Sequence, residues 1–404
     1  MITKDCKIFV AVPALKEQEN LPGFIECLQS QTYKNFKLVI CVNQPDDWWE
    51  KEDKKDVCVD NSNSIDYLST LRYPQVQIID KSSRGLGWKD KKSGVGWARK
   101  TIMDEIANQA RDNDLIVSLD ADTSFNPGYF ASLVENLTKK NTYVAISVPY
   151  FHKLTGDEVK DRAILRYEIY LRYFAINLWR INSPYCFTAI GSAIALPVKS
   201  YNAIGGMTPH QSGEDFYFLQ KLRKYGEILH WNEEKVYPEA RYSDRVGFGT
   251  GPAMIRGSKG DWSSYPVYPY RFFDEVGETY HKFPLLFEKD IPTSMDSFIE
   301  ERFGENIWQP LRENYKSVDR FVWACHSKLD GFRVIQYLKW RNKENRNSDE
   351  EHLIRWFEKF YQKEMQRMNE DIHKLSFSVS SIIELDGIRN LLVYIEEVYQ
   401  KGEM

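Results

Sequence analysis

Five short, predominantly apolar runs in the first 150 residues, interleaved with segments of helical spacing, constrain this chain's fold more than any other feature. They are residues 8–12, 37–42, 76–79, 115–119 and 143–148. A strand that is apolar along its whole length must be buried on both faces, as in a parallel sheet covered by helices. The first run ends at Pro13, after which Leu21, Phe24, Ile25 and Leu28 recur at helical spacing. Val95, Ala98, Ile102, Met103, Ile106 and Ala110 mark a second inward-facing stripe. This succession predicts an α/β fold with a mostly parallel, Rossmann-like sheet flanked by helices. Ligands of such sheets lie at the carboxyl ends of the strands.

The remaining segments read as follows. Residues 43–67 are polar and Trp-bearing, and suggest a surface insertion. Residues 157–181 form a long aromatic helix with Tyr167, Tyr170, Phe174 and Trp179; 188–197 is strand-like, and 214–225 is a helix. Residues 257–270 are rich in Gly, Ser, Pro and Tyr, which predicts a loop or lid. Beyond Ser294 the pattern is helical, with Ser348–Glu351 and Ser381–Glu384 spaced as capping boxes.

Several function classes are excluded before any motif is considered. A formal net charge of −4 over 404 residues offers no basic field for a nucleic-acid backbone. The six cysteines (Cys6, Cys27, Cys41, Cys58, Cys186, Cys325) include no C-x-x-C pair and read as reduced thiols. No signal peptide opens the chain, and no apolar run reaches the ~18–20 residues of a spanning helix. The expected location is therefore cytoplasmic, with a peripheral membrane contact of the aromatic helix left open. No histidine pattern suits a zinc hydrolase. No P-loop occurs, and Gly85-Leu86-Gly87 is followed by Asp90 where a dinucleotide fingerprint needs its third glycine.

Four constellations carry chemistry. Asp120 and Asp122 leave the fourth strand two residues apart. Two such carboxylates suit a hard divalent cation shared with a diphosphate, although a polar turn uses the same residue types. Glu214 and Asp215 follow Gly213 at a helix start, where acids complement the helix dipole and where a general base would also fit. The run from Lys91 to Arg99 is basic and contains Gly94 and Gly96, which suits close approach to a phosphate or ribose. Arg241 and Arg245 precede Gly247, Gly249 and Gly251, a pattern for diphosphate binding or for a salt-bridged turn. His210 is a further candidate because it precedes Glu214 closely.

In order and spacing these pieces resemble family 2 glycosyltransferases of the GT-A fold, over roughly residues 6–250. Pro13, Ala14 and Glu17 resemble the family's opening P-x-x-x-E segment, residues 83–110 its G-x-x-x-A-R segment, and Asp120-Ala121-Asp122 its D-x-D. Gly205-Gly206 followed by Glu214-Asp215 resembles its G-G segment and E-D pair. The resemblance implies a catalytic domain over 1–250, with nucleotide-sugar binding in 1–123 and the acceptor part in 124–250. A loop or lid over 251–290 and a helical C-terminal subdomain over 291–404 would complete the chain.

The resemblance also assigns roles. Pro13, Ala14 and Glu17 would lie by the base and ribose, and Arg99 by the nucleotide. Asp120 would contact ribose or metal, and Asp122 would bind Mn²⁺ or Mg²⁺. Asp215 would be the general base with Glu214 beside it, and Arg241 and Arg245 would meet the diphosphate. The implied reaction is inverting, non-processive transfer from a UDP-sugar or GDP-sugar to a carbohydrate or glycolipid hydroxyl. Departures exist. Asn43 stands where many members carry an acid after the second strand, and Gln309-Pro310-Leu311-Arg312-Glu313 lacks the tryptophan of the processive Q-x-x-R-W motif. Val236-Tyr237-Pro238-Glu239 offers no histidine as a third metal ligand. A retaining transferase, a sugar nucleotidylyltransferase and a non-catalytic carbohydrate-binding relative are the alternatives.

Overall fold

Seven strands form the central sheet of the computed structural model, which describes residues 5–89, 92–139, 142–245, 247, 249–304, 306–366 and 372–402. They are β1 (Ile8–Ala14), β2 (Phe36–Asn43), β3 (Val76–Lys81), β4 (Leu115–Ser118), β6 (Ala145–Ser147), β7 (Ile194–Pro197) and β8 (Ile228–Leu229). A separate ribbon pairs β5 (Ser124–Phe125) with β9 (Val236–Tyr237). The sheet order is β3-β2-β1-β4-β7-β6-β8, parallel except for β7, which runs against both of its neighbours. All five predicted strands are present. Each residue of β1, β4 and β7 is buried, as the unbroken apolar runs require. Each large aliphatic side chain removed from water there contributes roughly 1.5–3 kcal/mol.

The helices of the first half are α1 (Leu21–Gln29), α2 (Lys55–Thr70), α3 (Val95–Gln109), α4 (Tyr129–Lys139), α5 (Glu158–Arg180), α6 (Val198–Ala203), α7 (Glu214–Tyr225) and α8 (Thr250–Gly257). Helix α3 packs against β1 and β2 through its predicted stripe. The polar 43–67 segment is not a plain insertion, because α2 occupies most of it and packs on β2 and β3. Its buried positions are Cys58, Asn61, Ser64 and Leu68. Two of these four are polar, so no apolar periodicity betrays the helix.

The chain divides into two units. Unit 1 comprises Met1–Ile164 and Ala189–Arg256, and unit 2 comprises Leu165–Thr188 and Gly257–Met404. The predicted catalytic domain of 1–250 is thus interrupted, since 165–188 clusters with unit 2. Unit 2 holds α9 (Tyr270–Leu286), α10 (Asp296–Phe303), α11 (Trp308–Asn314), α12 (Val318–Lys328), α13 (Gly331–Arg341), α14 (Asp349–Phe360), α15 (Gln362–Met365) and α16 (Ile382–Lys401). The 251–290 segment is therefore not one loop. Phe272, Phe273, Val276, Tyr280 and Phe283 form the buried stripe of α9, and the Gly/Ser/Pro signal is confined to the residues before it. Both predicted helix starts occur, with Ser348 and Ser381 each accepting from the third residue of its helix and a complete capping box at Ser381. No helix among the described residues is long and apolar enough to cross a membrane.

Candidate active site

The site lies where β1, β2 and β4 end together, because the parallel register brings their carboxyl ends to one edge of the sheet. Pro13 falls beyond Ala11, the last residue of β1 paired to β4, so its missing N–H costs that ladder nothing. The chain then turns through Lys16, which has a left-handed φ of 55° and whose N–H donates to Asn61 Oδ1 at 2.9 Å. Glu17 follows and is buried. Its carbonyl accepts from the backbone of Asn20 and Leu21, and its carboxylate accepts from Asn20 Nδ2 at 2.7 Å. Asn43, at the end of β2, donates to the Ala14 carbonyl at 2.9 Å and accepts from the Trp88 indole at 3.1 Å. This buried amide ties two strand ends and the Trp88 loop together.

Arg99 is the hub of the site, and it does not face outwards. Only 1% exposed on α3, it donates from Nη2 to Asp120 Oδ1 at 2.9 Å and from Nε to Glu214 Oε1 at 3.2 Å. Its Nη1 donates to Ser118 Oγ at 2.5 Å and to the Gly191 carbonyl at 3.1 Å. The resemblance placed Arg99 at the nucleotide; in the structure the guanidinium is used up inside the protein, linking the D-x-D turn to the E-D pair. A Cβ on residue 191 would stand 2.5 Å from Arg99 Nη2, so a larger residue there would have to displace the guanidinium. Gly96 also serves packing, since a Cβ there would stand 2.1 Å from the His210 carbonyl. The His210 ring itself lies on Tyr217, with centroids 4.3 Å apart.

Asp120 and Asp122 flank the turn after β4, where the Thr123 N–H donates to the Asp120 carbonyl. Asp120 keeps 36% of its side chain exposed. Asp122 is more enclosed, and burial pushes its carboxyl up to about 7. Arg241 opposes that shift, while the like charges of Asp120 and Glu17 reinforce it. The β5–β9 ribbon explains why Arg241 is present at all. Pairing Ser124 with Tyr237 brings the 238–245 segment alongside the D-x-D turn.

Arg241 donates to both carboxylate oxygens of Glu17, at 2.5 and 3.1 Å, and lies 2.8 Å from Asp122 Oδ2. Arg245 donates to Glu17 Oε1 at 2.7 Å and to the Leu15 carbonyl at 2.6 Å. Burial opposes ionisation of Glu17, but the two arginines outweigh it and hold its carboxyl below the ordinary value. Lys91 and Phe248, from the two Gly-bearing segments, lie outside the described residues.

Glu214 and Asp215 open α7 directly after Gly213. Glu214 is buried against Arg99. Asp215 is half-buried, and its Oδ1 accepts the Phe216 N–H at 2.7 Å. Burial, and then the negative charge of Glu214, push Asp215 up to about 7 against the pull of Arg99. A carboxylate tuned this way accepts a proton near neutral pH. His230 has no such poise: burial, aided by the positive charge of Arg223, pushes it down to about 3.

Among the described residues no three His, Cys, Asp or Glu side chains cluster so as to hold a metal ion by themselves. The donor set nevertheless suits a hard divalent cation. Among the described residues, the cations set against Glu17, Asp120, Asp122, Glu214 and Asp215 are Arg99, Arg241 and Arg245, so full ionisation of these eight groups leaves two negative charges in excess. Burial raises the carboxyls of Asp122 and Asp215, and the neighbouring negative charges add to the shift. Mg²⁺ and Mn²⁺ are commonly held by one or two carboxylates together with substrate phosphates, which fits a protein offering Asp120 and Asp122. Sequence reasoning missed Ser118 and Gly191, the other acceptors of Arg99. A lone polar residue at the end of an apolar strand was the available signal for Ser118. Gly191 had none.

A search of curated proteins finds no match to this sequence. Among solved structures, TarS residues 1–349 of S. aureus in complex with UDP-GlcNAc is 12% identical with a TM-score of 0.41, covering 98% of this chain and 92% of that one. GalNAc-T7 with UDP, GalNAc and Mn²⁺ is 14% identical with a TM-score of 0.39, covering 81% and 58%. The glucosyl-3-phosphoglycerate synthase of Mycobacterium tuberculosis, in complex with Mn²⁺, UDP-glucose and phosphoglyceric acid, is 13% identical with a TM-score of 0.32, covering 55% and 69%. The sequence profile described as glycosyl transferase family 2 matches residues 9–204, a span that contains Pro13, Glu17, Arg99 and the Asp120–Asp122 turn. Residues 9–204 of the chain are thus a glycosyl transferase family 2 domain.

Proposed function

We propose that this glycosyltransferase moves a sugar from a nucleoside-diphosphate sugar to an acceptor hydroxyl in a single, inverting, non-processive displacement. The observation that carries the reading is the charge chain Glu214–Arg99–Asp120, which joins the E-D pair to the D-x-D turn through one buried guanidinium. In this reading Asp215 accepts the proton of the acceptor hydroxyl, and the freed electron pair attacks the anomeric carbon. The bond from that carbon to the phosphate oxygen breaks on the opposite face, and the nucleoside diphosphate leaves. Asp120 and Asp122 would hold Mn²⁺ or Mg²⁺, which supplies Lewis-acid stabilisation of the departing diphosphate. Arg241 and Arg245 add fixed positive charge beside Asp122 and Glu17, and Pro13, Ala14 and Asn43 border the place of the base and ribose. Arg99 is a positioning residue: it fixes Asp120 and Glu214 without touching substrate. The donor is a UDP- or GDP-sugar, and the acceptor a carbohydrate or glycolipid hydroxyl.

The test is Asp215→Asn assayed with the donor selected by a thermal-shift screen of nucleotide sugars. Nucleoside-diphosphate affinity is expected to stay within about twofold, while turnover falls by roughly 10²–10⁴. Full turnover in the variant removes Asp215 from the role of base. Proton NMR of the product reads the anomeric configuration, and retention overturns the single displacement.

A further inference from the structure

Unit 2 carries none of the candidate catalytic residues, yet it has a surface groove of its own between α10 and α13. The groove is open to solvent, with about 300 Å³ of space between its walls. Helical spacing creates it: Phe298 and Glu301 recur along one face of α10, and Gln336, Trp340 and Lys343 along one face of α13 and the turn after it. Its floor is aromatic. Phe298 is buried and stands 5.9 Å from the half-buried Trp340, whose indole is stacked on Tyr337 at 28°. The indole N–H donates to Glu301 Oε2 at 2.6 Å, so the ring is fixed in orientation.

The rim is polar and predominantly positive. Arg302, Lys339 and Lys343 are exposed and line the groove. The nearby ion pairs of this unit use other cations, namely Lys282, Arg312, Arg341 and Arg355. Among the described residues that line the groove, three cations stand against the one carboxylate of Glu301. Each component selects a different part of a ligand. A fixed aromatic floor packs against the C–H face of a sugar ring. Glu301 accepts hydrogen bonds from hydroxyls, and Gln336, whose side-chain oxygen accepts from Arg333 at 2.6 Å, offers its amide N–H groups to them. The cations require negative charge on the same ligand. A bare phosphate or an acidic peptide has no sugar C–H face to set against the floor of Phe298 and Trp340.

We propose that this groove binds an acidic carbohydrate, a sugar chain that bears carboxylates or phosphates besides its hydroxyls. The inference uses only residues of unit 2 and does not depend on the transferase chemistry of unit 1. Isothermal titration of the full chain with a galacturonic acid hexamer, pentamannose 6-phosphate, maltohexaose and a hexaglutamate peptide tests it. At least one of the two acidic sugars is expected to bind saturably and about tenfold more tightly than maltohexaose or hexaglutamate. The better of the two distinguishes a carboxylate-bearing from a phosphate-bearing ligand. The double variant Lys339→Glu/Lys343→Glu alters exposed side chains only and is expected to keep its circular dichroism and its nucleotide-sugar hydrolysis while losing about tenfold in acidic-sugar affinity. Trp340→Phe, which keeps a ring but deletes the N–H, is expected to weaken binding less. No saturable binding of either acidic sugar, equally tight hexaglutamate, or an unchanged affinity in the double variant overturns the proposal. Loss of nucleotide-sugar turnover in Asp215→Asn with groove binding intact concerns unit 1 alone, so the two failures are distinguishable.

Discussion

Asp215 pairs two demands that oppose each other, since the packing and like charge that make it a base near neutrality also make its charged form costly. The sign follows from linkage. The unfolded carboxyl has released its proton above about pH 4, whereas the folded one retains it up to about 7. Folded stability attributable to this group is therefore full at low pH and declines as pH rises from about 4 through 7. Asp215→Asn is expected to melt higher than the parent at pH 8, with the difference vanishing near pH 4, even as turnover collapses; calorimetry across that range checks it. Activity of the parent should rise with pH through an acid limb near 7. Arg99 behaves in the opposite way. Arg99→Met leaves Glu214 buried without its partner and strips Asp120 of an ion pair, a change expected to cost about 3–5 kcal/mol, read from denaturant unfolding of unit 1. The type and position of Arg99 were legible in the sequence, but its direction was not, because a buried hub and a ligand-facing arginine have the same local sequence.

At the scale of elements, legibility followed how each segment satisfies its polar groups. β1, β2, β4 and α3 bury apolar side chains in unbroken or 3.6-period patterns, so their existence could be read directly. Helix α2 buries Asn61 and Ser64, and Asn61 is kept inside by bonds to Gln44 and to the Lys16 backbone. Those partners are distant in sequence, and the helix was missed. Helix α9 was missed for another reason, since the Gly- and Pro-rich stretch preceding it masked its apolar stripe. Helix starts were the most local feature and the most legible. Ser381 caps α16 with a reciprocal bond to Glu384, whereas Ser348 caps α14 by accepting the Glu351 N–H. Ser381→Ala is expected to cost about 1 kcal/mol, measured by the shift of the denaturation midpoint of unit 2.

For the whole molecule, the excess of carboxylates at the sheet edge predicts that ligand and cation stabilise unit 1 together. UDP or GDP with Mn²⁺ is expected to raise the melting temperature more than the sum of either alone, by an amount equivalent to about 2.7 kcal/mol at a hundredfold excess over the dissociation constant. Asp122→Asn should abolish that synergy, and a thermal-shift titration reads it; an additive response would falsify the shared site. Apolar runs set between segments of helical spacing were enough to give the α/β architecture, and the positions of Asp120, Asp122, Glu214 and Asp215 were enough to nominate a candidate site, because strand burial and motif spacing are local properties of the chain. Only the tertiary structure decided what those residues do to one another. The β5–β9 pairing carries Arg241 to Asp122 and Glu17 across more than a hundred residues, and β7 brings Gly191 against Arg99. Charge balance and proton affinity depend on such distances in space, which a one-dimensional pattern does not contain.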